Sequence, residues 1–149
     1  MEHGKFNRKT VEAFGSQTLS FLAYPISELI DRYTITLLKS ERIEDHDSSK
    51  DLAVLEAAIH SYNLENSMSE NFYSWISRLK EINGKIWDAE AQIRAGFEAK
   101  FTAEEGWNLC ILVRDLNRVR NSIKNEIVKE TGEGFSEVRV NCIANPERG

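Results

Sequence analysis

The chain has 149 residues, of which 41% are hydrophobic and 29% charged, with a formal net charge of −5. That balance belongs to one globular domain large enough to bury a real core, and its acidity argues against a general nucleic-acid binder, which is normally basic. Cys110 and Cys142 are too few for a disulfide framework, no Cys/His cluster has zinc spacing, and no apolar run suits a signal peptide or a bilayer span. No metal, no cofactor and no membrane partner are therefore expected, and a cytoplasmic location follows by default.

Residues 1–24 carry the weakest signal. Lys9 to Phe14 could form a short helix stopped by Gly15, and Thr18 to Tyr24 could be extended. After Pro25, Ser27 is a plausible N-cap for a helix reaching about Glu44, with Ile26, Leu29, Ile30, Tyr33 and Leu37 on its apolar face. The polar stretch Glu44 to Ser49 reads as a turn, with Ser48 or Ser49 capping a shorter helix that buries Leu52, Leu55, Ile59 and Tyr62. Ser67-Met68-Ser69-Glu70 offers a capping box, followed by Phe72, Trp75, Leu79, Ile82, Ile86, Ile93 and Phe97 at helical spacing to about Lys100. Gly84 inside this helix costs roughly 1 kcal/mol relative to Ala and invites a bend.

The most legible stretch comes last. Thr102-Ala103-Glu104-Glu105 is a second capping box, and Thr131-Gly132 supplies a left-handed stop. Between them Leu109, Leu112, Leu116, Val119, Ile123 and Ile127 repeat at spacings of three and four. Beyond Gly134, Phe135 to Val140 alternates like a short extended arm in need of a partner strand. The fold class expected is all-α: an antiparallel helical bundle of two long and two shorter helices, near 27–44, 50–62, 69–100 and 103–131, with a short extended C-terminal arm.

Two charged constellations stand out. On a helical wheel Asn83 and Glu90 fall within the apolar face of the first long helix, with Arg94 at its edge and Trp87 nearby. Glu90 and Arg94 are spaced for an ion pair, and Asn117, Arg120 and Lys124 flank the stripe of the second long helix. A charge on a core face needs a partner, so Arg120 and Lys124 are natural partners for Glu90. Such a cluster can either hold helix register or bind an anionic ligand through guanidinium groups, and the spacing does not separate the two. The second constellation is Glu28, Asp31, Arg32, Lys39 and Arg42, opposite the apolar face of the first helix with Ile35 in their midst. A solvated stripe is the expectation there, with an interface or second site as the alternative.

Enzyme templates fit poorly. Gly132-Glu133-Gly134 follows a helix instead of opening one, no Gly-x-Ser-x-Gly elbow exists, and His3, His46 and His60 are scattered. The acids Glu41, Glu44, Asp45 and Asp47 crowd one helix end, without the matching cluster that magnesium-dependent helical pyrophosphatases need. A general base at Glu90 or Asp31 is the remaining catalytic possibility.

Ser27-Glu28-Leu29-Ile30-Asp31-Arg32-Tyr33-Thr34-Ile35, leading to Leu38-Lys39, resembles the opening motif of uncharacterised helical domains of bacteria and their phages. Trp87, Glu90 and Arg94 resemble their middle motif; Asn117, Arg120 and Lys124, followed by Gly132 and Glu137, resemble the closing one. The similarity spans most of Ile26 to Val140 and departs at Arg118, where an acid is expected, and between Ser48 and Tyr62. Some bacterial members accompany glycan-assembly genes. The resemblance implies a helical fold and stresses the same charged positions without naming a reaction.

The function expected from these readings is a non-enzymatic binding module that captures a small anionic ligand such as a signalling nucleotide, as a phage protein sequestering a host signal would. A structural or adaptor protein with a charged core network is the alternative, and a hydrolase or transferase acting on a phosphorylated or sugar-nucleotide substrate the third. Ile35 amid charges, Trp87, Trp107 and the C-terminal arm all lack partners in one small bundle, so a homo-oligomer, most simply a dimer, is expected.

Overall fold

The computed structural model describes residues 24–96 and 98–136. The expectations for residues 1–23, for Phe97, for Cys142 and for the arm beyond Ser136, Glu137 included, lie outside the described residues.

Four helices occur among the described residues: α1 Ile26–Arg42, α2 Ser49–Glu65, α3 Phe72–Gly96 and α4 Ala103–Thr131. The fold is all-α, two shorter helices followed by two long ones, with no strand among these residues. Helices α3 and α4 run antiparallel, since Ser69 and Asn71 reach Glu130 while Arg78, further along α3, reaches Glu126. Helices α1 and α4 are antiparallel by the same logic, Glu28 meeting Lys124 and Asp31 meeting Arg120.

Helix α1 is the hub. It packs on all three other helices, whereas α2 packs chiefly on α1. Ile26, Leu29 and Ile30 meet Leu55 and Ala58 of α2, Trp75 and Leu79 of α3 and Ile127 of α4 in one core. The expected core residues of α3 from Phe72 to Ile86 are buried; Ile93 near its end is exposed.

Local signals held unevenly. Thr102 Oγ1 accepts from Glu105 N at 3.2 Å and Glu105 Oε2 accepts from Thr102 N at 2.7 Å, so the capping box of α4 forms as read. Gly132 closes α4 at φ 70°. The capping box expected at Ser67–Glu70 does not form: Ser69 Oγ accepts from Asn71 N and donates to Glu130, and the helix begins later, at Phe72. Ser27 is not a cap either. Pro25 precedes the helix, its carbonyl accepts from Glu28 N and Leu29 N, and Ser27 is buried in the first turn. Ser48 precedes α2 without a side-chain cap; Asp47 Oδ1 takes Ser49 N at 2.9 Å instead.

Two further expectations change. Gly84 does not interrupt α3, which runs on to Gly96; it lets α1 approach, and a Cβ there would lie 3.2 Å from Arg42 Nη2 and 3.7 Å from Leu38 Cδ2. The α4 stripe is buried only in its second half. Ile123 and Ile127 are in the core, but Leu112 and Val119 are exposed and Leu109 and Leu116 half-buried, because α1 covers α4 only from about Arg120 onward. The distal parts of α3 and α4 therefore project past the core as a two-helix arm. Gly96 shapes its tip: a Cβ at that position would sit 2.5 Å from Phe101 Cδ2.

Candidate functional site

Asp31 sits at mid-length of α1, on the face turned to α3 and α4, and is 4% exposed. A carboxylate this deep must be paired. Arg120 of α4 meets it with two parallel bonds: Nε donates to Oδ1 at 2.9 Å, and Nη2 donates to Oδ2. Asn83 of α3, also buried, donates through Nδ2 to Asp31 Oδ1 and to Thr34 Oγ1, both at 3.0 Å. Thr34 Oγ1 in turn donates to the Asp31 carbonyl at 2.8 Å. One turn earlier on α1, Glu28 accepts from the buried Lys124 ammonium at 2.8 Å.

Above this network the groove between α1 and α4 opens as a cleft of about 190 Å³, lined by Glu28, Asp31, Arg32, Ile35, Thr36, Lys39 and Arg120. The Thr36 hydroxyl donates to the Arg32 carbonyl at 2.8 Å. Arg32 and Lys39 stand exposed at the rim and join no ion pair among the described residues. A wider cleft of about 410 Å³ between α1 and α3 is lined by Glu41, Arg42, Lys80, Glu81, Lys85 and Asp88. Its charges are matched within it, as Lys80–Glu41 at 2.5 Å, Arg42–Asp88 at 2.6 Å and Lys85–Glu81 at 2.7 Å.

The structure regroups the predicted residues. Glu28, Asp31, Arg32, Ile35 and Lys39, read as a solvated stripe, come together with Arg120 and Lys124; Asp31 is buried, contrary to that reading. A helix covered on three sides has little solvated face left, and a two-sided wheel misassigns it. Glu90 is not in the core. Its side chain is 48% exposed and, among the described residues, its ion pair is with Arg94 at 3.9 Å on the projecting part of α3. The carboxylate that Arg120 neutralises is Asp31, and Lys124 neutralises Glu28. Trp87 lies apart as well, half-buried, with the Arg42 guanidinium 6.0 Å above its ring. Asn117 donates to its own helix, to Val113 O at 3.0 Å. Thr34 was missed, although Asp31, Thr34 and Leu38 share one face of α1 by helical spacing and would have marked it.

A second polar cluster ties α3 to α4. Glu126 accepts both Arg78 guanidinium bonds at 2.9 Å and the Trp75 indole N–H at 3.2 Å. The Arg78 bond first, and then that of Trp75, hold the Glu126 carboxyl below its ordinary pKa. On α1, burial and then the Glu56 carboxylate push the Tyr33 hydroxyl upward.

Asp31 Oδ1 accepts from both Asn83 and Arg120 and Oδ2 accepts from Arg120, so the carboxylate is held in place by fixed donors. No group of three or more His, Cys, Asp or Glu side chains is placed to hold a metal among the described residues. No helix among them is long and apolar enough to cross a membrane. Comparisons with protein-family models, with curated proteins and with solved structures return no match.

Proposed function

We propose that the protein is a non-enzymatic, cytoplasmic binding module whose α1–α4 cleft takes the charged end of a small anionic ligand. The observation that carries this reading is the pairing of two cations that join no ion pair among the described residues, Arg32 and Lys39, with a floor in which Asp31 and Arg120 already neutralise each other. An anion entering the cleft meets excess positive charge at the rim without having to break the floor. Size limits what fits. At about 190 Å³ the cleft is smaller than the roughly 300–1,000 Å³ of sites that enclose a drug-sized ligand. A phosphate group fits, and a nucleotide would leave its base outside. The site differs from the one expected at Arg94 and Glu90, which lies on the projecting arm. Self-association of the chain is part of this reading.

Titration calorimetry with inorganic phosphate, pyrophosphate and nucleotides tests it. Arg32→Ala and Lys39→Ala, both at exposed positions, are expected to abolish binding with the melting temperature unchanged. Absence of heat with every anion, or binding indifferent to both substitutions, refutes it. A structural or adaptor role is the second reading, favoured by the mutual neutralisation of Asp31 with Arg120 and of Glu28 with Lys124. It is the one that stands if calorimetry is silent.

A further inference from the structure

Arg32 and Lys39 are seven residues apart on α1. At helical pitch that sets them within about 20° of one line along the helix and roughly 10 Å apart at the backbone. Both are exposed, both line the α1–α4 cleft, and neither joins an ion pair among the described residues. The surface between them is of a different kind. Half-buried Ile35 and buried Thr36 form it, and the Thr36 hydroxyl has already given its proton to the Arg32 carbonyl at 2.8 Å. The carboxylates of the cleft, Glu28 and Asp31, lie toward its Arg32 end and are matched by Lys124 and Arg120. Along α1 the cleft therefore presents a positive point, an apolar stretch and a second positive point, over a floor whose own charges cancel.

We propose that this cleft takes a two-headed anion, with one anionic group on Arg32, the other on Lys39, and an uncharged, largely apolar spacer of roughly 10 Å lying over Ile35 and Thr36. The inference rests on the reading of the cleft as an anion site and adds the class of ligand to it. Helix α1 packs on all three other helices, so the backbone under the two cations is fixed. A ligand whose span matches that spacing makes its second contact within the complex, at high effective concentration. One phosphate alone leaves an end of the cleft unused, unless both long side chains give up their freedom to converge on it. A polyanion charged along its whole length would set oxygens over Ile35, where they lose water and gain no donor. A thin ligand lying along α1 also suits a cleft of about 190 Å³ better than a bulky one.

Titration calorimetry of the full chain with alkane bisphosphonates, a phosphonate at each end and spacers from methane to dodecane, provides the test. Affinity is expected to rise about tenfold from the methane to the heptane compound, as one added charge-assisted contact implies, and to fall again at dodecane. Tetrapolyphosphate, a continuous polyanion, should bind no better than the methane compound. In Lys39→Met the heptane compound loses at least that tenfold, whereas Lys39→Arg keeps the preference for it. Position 39 is exposed, and circular dichroism checks that both variants fold. Inorganic phosphate or the methane compound binding as tightly as the heptane one, affinity that climbs on to dodecane, or tetrapolyphosphate matching the heptane compound overturns the two-headed ligand and leaves the anion site standing. Silence with every compound, inorganic phosphate included, removes both.

Discussion

Replacing Asp31 with alanine leaves the Arg120 guanidinium without its bidentate partner and takes from Asn83 one of its two acceptors. Removing one member of a buried pair costs about 3–5 kcal/mol, because the other charge stays desolvated. The Asp31 side chain is 5% exposed but that of Arg120 is 26% exposed, so water recovers part of the loss and the lower end applies, about 3 kcal/mol. For a chain of this size that corresponds to a fall of roughly 9 °C in Tm. Asp31→Asn keeps the shape and one acceptor and is expected to cost about 1–2 kcal/mol. Thermal and urea unfolding of Asp31→Ala, Arg120→Met and the double variant close a cycle whose coupling should reach at least about 1.5 kcal/mol. Asp31→Leu combined with Arg120→Met should recover most of the stability, since a dry apolar pair needs no compensating charge. Glu90→Gln, by contrast, should stay within about 0.5 kcal/mol of wild type, as surface substitutions do. A Tm loss below about 3 °C for Asp31→Ala, or a coupling near zero, would refute the account of this network.

Gly84→Ala gains roughly 1 kcal/mol of helix propensity, while the new Cβ presses on Arg42 Nη2 at 3.2 Å, the end of a flexible, partly exposed side chain that can yield. A small rise in melting temperature is expected, and Gly84→Leu should lower it by wedging α1 from α3. The pH dependence of stability carries the mark of Arg78 on Glu126. The folded-state pKa of Glu126 is depressed, so its contribution is complete above the unfolded value near 4.5 and is lost as pH falls through the lower folded value. Both partners are more than 40% exposed, which limits the effect to about 1 kcal/mol. Urea unfolding from neutral to acid pH should show that acid loss reduced in Arg78→Met, and an unchanged acid limb would count against the pair.

Much of the fold was legible along the chain because it depends on local chemistry. The apolar period of α3, the Thr102–Glu105 capping box and the left-handed Gly132 each act within a few residues, and each predicts its element correctly. The all-α class follows from them. Where competing local signals existed the serines read as caps do not cap: Ser27 lies inside the first turn of α1, Ser48 makes no side-chain cap bond, and the helix expected after Ser67 begins only at Phe72.

The arrangement of charges was decided by tertiary structure alone. A helical wheel assigns one buried and one wet face, but α1 is covered by three helices, so Asp31 on the supposedly wet side is buried and must find Arg120, far along the chain. Glu90 sits on an apolar face by period, yet it lies on the distal part of α3, where among the described residues its side chain stays about half exposed instead of entering the core. The residues Arg120 and Lys124 were identifiable from their position on α4. Which carboxylates they meet depends on which helix lies against that edge, and helix period contains no information about the neighbour.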